Sequence, residues 1–326
     1  MNKFLLFTDA RTGSSNLLNM IGRLYRNQQN ISHTHIGEPF NMRGLRIHYP
    51  QFIEEIKGAW RQGWSRRADP EQTYVDSRGW LPNVRMPNEC VTSILEKCYQ
   101  HSCGIKHLYG HLAQANPEFK EPEGNQMSWT ITPLSLGPPW QYSPPKAGQQ
   151  NFVLLKWAVE NGIKIIFLNR RGEFARALSF QLCRQTGVWG LKQTKEDVST
   201  QRSRREMDNI KLKEVSLKKI VDEVETHRHA SRVYSEFLAG QDVHYVFYED
   251  FFSDTGRLHA VDNMYKICDF LDVPHTELEE DFVVNRCSPK HKQHVGKTLR
   301  NIPNINDVIN LAKNEYGTDM SWILKK

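Results

Sequence analysis

No stretch of the chain approaches the roughly 20 consecutive apolar residues that a membrane-spanning helix needs. The first residues, Met1 to Thr12, give one lysine and four apolar residues before turning polar. That is too short an apolar run for a secretory leader, so a cytoplasmic protein is expected. No CxxC pair and no Cys/His zinc spacing occur among the six cysteines, Cys90, Cys98, Cys103, Cys183, Cys268 and Cys287. Free buried thiols are expected, with no disulfide framework and no structural metal. The phosphate-binding pattern G-x-x-x-x-G-K-[ST] is missing, which disfavours a nucleotide kinase. No internal repeat is seen. Charge is not extreme either: 43 basic against 37 acidic residues give +6. Such an excess suits a polyanionic ligand without selecting nucleic acid or a membrane surface.

What is present reads as strands alternating with helices. Lys3 to Phe7 is an apolar strand, followed by a polar turn to Gly13 and an amphipathic helix over Ser14 to Asn27. Helices are expected over 86–100, 151–161, 173–186, 217–238 and 263–271, and further strands over 103–108, 164–168 and 243–248. This alternation predicts an α/β fold in one domain over 1–326, a central parallel sheet flanked by helices. Residues 117–150 hold seven of the 15 prolines among Gly, Ser and Gln. This stretch reads as a long insertion or lid, and Trp129, Trp140 and Tyr142 on it offer surfaces for stacking on a sugar or for packing. Residues 192–213 are charge-dense and read as an exposed segment. The C-terminal region is basic and polar, with Arg286, Lys290, Lys292, Lys297 and Arg300.

Two motifs carry chemistry. The first, Asp9-Ala10-Arg11-Thr12-Gly13-Ser14-Ser15, lies at a strand–turn–helix junction, where backbone amides and the helix dipole favour an anion. Gly13 permits close approach, Thr12, Ser14 and Ser15 add hydroxyl donors, and Arg11 adds a fixed charge. The second is Arg171 with Ser179, eight residues apart after the strand 164–168. A guanidinium fork and a hydroxyl there suit one phosphate.

Together these motifs resemble the sulfotransferases that use 3′-phosphoadenosine 5′-phosphosulfate (PAPS), and most closely the bacterial branch that includes trehalose and Nod-factor sulfotransferases. Arg11-Thr12-Gly13-Ser14-Ser15 is similar to the 5′-phosphosulfate loop, with Arg11 where animal cytosolic enzymes carry lysine. Arg171 and Ser179 are similar to the 3′-phosphate pair. Gly37-Glu38-Pro39-Phe40-Asn41, Gly104-Ile105-Lys106, Gln185-Thr186-Gly187-Val188-Trp189, Tyr248-Glu249-Asp250-Phe251 and Phe270-Leu271-Asp272-Val273 follow in family order. The proline-rich insertion has no counterpart, and Asp272 replaces a usual glycine. The resemblance implies a P-loop-NTPase-like sulfotransferase fold and transfer of a sulfuryl group from PAPS to a carbohydrate or glycolipid hydroxyl, leaving 3′-phosphoadenosine 5′-phosphate (PAP). It implies no metal, no nucleic-acid partner and no integral membrane segment, and it allows a homodimer. PAPS would be held by Arg11, Thr12, Gly13, Ser14, Ser15, Arg171 and Ser179.

In-line sulfuryl transfer asks for charge stabilisation, here by Arg11, and for a base beside the acceptor hydroxyl. Glu38, His35 and His33 are the candidates. Glu38 leads because the proposed base of the bacterial branch is a glutamate in this region, and Lys106 either faces the site or forms a salt bridge. Two other functions stay open: a P-loop kinase-like phosphotransferase, and a basic nucleic-acid-binding protein that uses 192–213 and the C-terminal region.

Overall fold

The computed structural model describes residues 2–27, 33–40, 88–109, 149–186, 188, 190–191, 201–202, 210–288 and 296–324. Their frame is a parallel sheet of four strands: β1 (Phe4–Thr8), β2 (Gly104–Leu108), β3 (Lys164–Asn169) and β6 (Val243–Phe247). The order is β2-β1-β3-β6, so β1 has neighbours on both sides. Thr8 is level with Leu108 on one side and Leu168 on the other. β4 (Gly190–Leu191) and β5 (Gln201–Arg202) form a separate two-residue pair.

Residues 4–7 of β1 and 165–168 of β3 are all apolar because both faces of the sheet are covered. On one face, Leu5, Phe7, Ile105, Ile165 and Phe167 pack on α2 (Asn88–His101), α3 (Gln149–Glu160) and the C-terminal half of α5 (Leu217–Phe237). On the other, Phe4, Leu6, Ile166, Leu168 and Val246 meet α1 (Ser14–Arg23), α6 (Glu249–Phe252), α7 (Ala260–Leu271) and α8 (Glu280–Cys287). Burying each large side chain contributes about 1.5–3 kcal/mol. A third cluster lies beyond the sheet edge. There α4 (Glu173–Thr186) and the first half of α5 pack on α9 (Ile305–Tyr316). The result is one α/β domain with helices on both faces of a parallel sheet.

Several expectations need correction. The helix predicted from 151 begins at Gln149, so the last two residues of the 117–150 stretch are helical; residues 117–148 of the expected lid, with Trp129, Trp140 and Tyr142, lie outside the described residues. The predicted exposure of 192–213 fails at its end. Leu212 is buried against α4 and α9, a tertiary demand that charge density hides. The C-terminal region holds α8 and α9, whose buried Val283, Cys287, Ile305, Val308 and Ala312 were masked by a basic composition. The cysteines at 98, 103, 183, 268 and 287 are buried, as expected. Among the described residues, no helix is long and apolar enough to cross a membrane.

Candidate functional site

Because the four strands are parallel, the turns that follow them gather at one edge. The chain leaves β1 toward β2 on one side and leaves β3 toward β6 on the other, so the ends of β1 and β3 flank a switch point where ligand crevices form. Residues 9–13 cross that end. Arg11 has φ 66° and Gly13 has φ 77°. At Gly13 a Cβ would fall 2.7 Å from the Phe252 ring and 2.9 Å from Tyr248, so only glycine fits. Below the turn, buried Thr8 donates to the Leu168 carbonyl at 2.8 Å, and the Thr12 hydroxyl lies 2.7 Å from that of Thr8. The turn thus opens α1 with the first-turn amides of Ser14 and Ser15 lacking intrahelical acceptors, an anion-binding arrangement.

Residues 33–36 run alongside β2. The amide of Ile36 donates to the Gly104 carbonyl at 2.8 Å, and Lys106 returns a bond to Ile36. This added edge carries Glu38 to the same end of the sheet. There the Lys106 Nζ, on a side chain only 7% exposed, lies 2.7 Å from Glu38 Oε1 and donates to Ser15 Oγ at 3.0 Å. Glu38 has φ 28°, a left-handed backbone just ahead of the turn at Pro39, where an extended or turn conformation was expected. Among the described residues Arg11, Glu38 and Asp272 are the non-glycine residues with positive φ. Two of them flank Ser15 and Lys106. Strain of this kind gathers where the surroundings dictate a functional geometry.

His35 sits differently. Its ring packs on α1, where a Cβ at Gly22 would come within 2.3 Å of His35 Cδ2. Burial, then the charge of Lys106 and His33, push its imidazole down to about 4. It is therefore neutral at pH 7 and a weak base. His33 is lowered too, by burial and by His101.

The expected pairing of Arg171 with Ser179 takes another form. Arg11 Nε donates to Ser179 Oγ at 3.1 Å. Arg171, with a side chain 55% exposed, donates to Asp250 at 2.9 Å and lies 3.9 Å over the Phe247 ring. Its backbone amide and that of Gly172 both donate to the Glu249 carboxylate at 2.9 Å. Glu249 and Asp250 thus brace the turn after β3. The loop arginine, rather than Arg171, stands with Ser179.

Beneath the loop lies a buried ionic cluster. Asp9 accepts from Arg176 at 3.0 Å, sits 2.9 Å from His227 Nδ1 and caps the Ala10 amide at 2.7 Å. Burial pushes the Asp9 carboxyl up, but Arg176 and His227 outweigh it and hold it at about 2. Burial and Arg176 keep His227 low in turn. Arg176 also donates to the Glu223 carbonyl at 2.7 Å. Arg176, His227 and Arg170 carry no role in the sequence motifs, and Asp9, although it opens the loop motif, has none there of its own. A signal existed for two: Asp9 directly follows β1, and Arg176 precedes Ser179 by one helical turn. No group of three or more metal-ligating side chains comes together among the described residues. Asn41, Gly187, Trp189, Lys290 and Lys292 lie outside the described residues.

Compared with known protein families, curated proteins and solved structures, the chain matches none.

Proposed function

We propose that this chain is a sulfotransferase that uses PAPS as donor and a hydroxyl, of the carbohydrate or glycolipid class, as acceptor. One observation carries the reading: Lys106 joins Ser15 of the anion-binding loop to the carboxylate of Glu38. An anion subsite and a candidate base meet there at one buried cation. In sulfuryl transfer the acceptor oxygen bonds to sulfur as the bond from sulfur to the 5′-phosphate oxygen breaks. The acceptor proton needs a base, and charge grows on the departing oxygen. Glu38 takes the proton. Arg11, Lys106 and the amides of Ser14 and Ser15 supply fixed positive charge and donors, already oriented before reaction. No step requires a metal. Thr8, Thr12 and the Asp9 cluster hold the loop in shape, which keeps the donors from reorganising.

The test is turnover with two donors. Incubation with PAPS and a panel of saccharides should release PAP and form a sulfate ester. Incubation with MgATP and the same saccharides should release no ADP. ADP release without PAP release would instead make the chain a phosphotransferase.

A further inference from the structure

Two consecutive residues of β2 hold two residues of one short segment, Glu38 and Phe40. Neighbouring side chains of a strand point to opposite faces of the sheet. Lys106 lies on the α1 face, where it meets Ser15 and Glu38. His107 lies on the other face, stacked on Phe7 with ring centroids 5.8 Å apart. The chain arrives from Ile36, which is wholly buried and bonded to β2 through both its amide and its carbonyl. Four residues on, Phe40 is buried within the cluster on the His107 face. Its ring stands at 88° to that of His107, with centroids 5.4 Å apart. Glu38, at φ 28° and followed by the rigid Pro39, is therefore suspended between two buried anchors.

His107 is itself locked. Asn151 of α3 donates from Nδ2 to the Tyr109 carbonyl at 3.0 Å and to the Tyr234 hydroxyl at 2.7 Å. A carbonyl can only accept, so the amide of Asn151 has one orientation. Its Oδ1 then faces His107 Nε2 at 2.7 Å, and Nε2 must carry the hydrogen and donate it. A buried bond of fixed polarity specifies the ring's orientation, and with it the seat of Phe40.

We infer that Phe40, seated on the ring of His107 and through it on Asn151, is the positioning residue that sets the Glu38 carboxylate against Lys106. The role of Glu38 as base rests on the sulfotransferase reading; the placement of its carboxylate does not. Phe40, His107 and Asn151 are all buried, so they act on the reaction through Glu38. A misplacement of about 1 Å at a reacting group can cost a hundredfold in rate.

Two readouts test this in Phe40→Leu and in His107→Gln, with Glu38→Gln as the reference. Phe40→Leu keeps an apolar side chain without the ring. His107→Gln keeps a donor for Asn151 and removes the ring beside Phe40, and it serves as well should Phe40→Leu fold poorly. The first readout is acetylation of Lys106 by acetic anhydride, followed by mass spectrometry at a temperature where each variant is folded. Glu38 and Ser15 both contact the Lys106 ammonium, so freeing Glu38 should speed labelling. Both variants should approach the labelling rate of Glu38→Gln. The second readout is turnover of PAPS with a saccharide that the wild type sulfates. Here kcat should fall by about tenfold to a hundredfold, with PAP affinity unchanged. In the Glu38→Gln background neither substitution should lower kcat further, because the carboxylate that they position is gone. Labelling that responds to both substitutions in a protein that turns over no PAPS would keep the positioning and sink the sulfotransferase reading. Labelling at the wild-type rate in the folded variants would overturn the inference. So would losses in kcat that add in full to the loss in Glu38→Gln.

Discussion

Lys106 and Glu38 stand on neighbouring segments of the same sheet edge, and their Nζ and Oε1 atoms are 2.7 Å apart. The Lys106 stem is almost wholly covered, and the same ammonium donates to Ser15. A buried lysine shared in this way is committed to the site rather than to solvent.

Lys106→Met keeps the length of the stem and removes the charge. Turnover should fall by about 10²–10³, the scale for losing one transition-state donor. PAP affinity should fall much less, because charge on the leaving oxygen is greatest during transfer. Comparing the fold changes in kcat and in PAP affinity decides it. A larger loss in affinity would make Lys106 a ground-state anchor.

Glu38→Gln preserves shape and removes basicity. It should lower kcat by about 10²–10⁴, the range for general-base assistance, with PAP affinity nearly unchanged. The competing role is structural, as the partner of Lys106. In that case the variant would melt earlier while its folded fraction turned over normally, and Glu38 would not be the base.

Stability should fall in two stages as pH drops. His35 is held at about 4 in the folded protein against 6.5 in the open chain. The unfolded chain therefore takes the proton first, and stability is lost between about 6.5 and 4, on the order of 3 kcal/mol at most. His227 acts in the same direction. Asp9, lowered from 3.8 to about 2, contributes fully above 3.8 and loses that contribution as pH falls toward 2. Melting temperatures from pH 7 to 3 should show both stages, and His35→Gln should flatten the first. A melting temperature constant from pH 7 to 4 would contradict the burial of both histidines.

Asp272 closes α7 at φ 53°, with the Val273 amide bonded back to the Cys268 carbonyl at 2.9 Å. This is a helix end where glycine is favoured. Left-handed backbone costs a non-glycine residue about 1–2 kcal/mol, partly offset on substitution by the greater freedom of glycine in the unfolded chain. The bond from Asn2 to Asp272 is exposed and worth little. Asp272→Gly should therefore raise stability by about 0.5–1 kcal/mol, read as a higher melting temperature. A lower one would show that the Asn2 contact outweighs the backbone strain.

The strands were legible because FLLFT and KIIFL are continuous apolar runs, the mark of strands covered on both faces. The loop was legible through Gly13 and its hydroxyl neighbours, and Glu38 through its place in the chain. The meeting of Glu38 with Lys106 was not, since it depends on Ile36 pairing with β2, a register that no local pattern encodes. Arg171 looked like the phosphate arginine by spacing alone. Asp250 and Phe247, which hold it aside, arrive with β6 and the turn that follows it, far along the chain. Ile305, Val308 and Ala312 carry helical spacing, but among polar and charged neighbours that spacing does not stand out.

Calorimetric titration of the wild-type protein with PAP and, separately, with 5′-AMP tests the central claim most directly. The two ligands differ by the 3′-phosphate alone. A PAPS-dependent sulfotransferase should bind PAP at least about tenfold more tightly, a difference of about 1.4 kcal/mol or more. Equal affinity for the two, or binding of neither, would contradict the account.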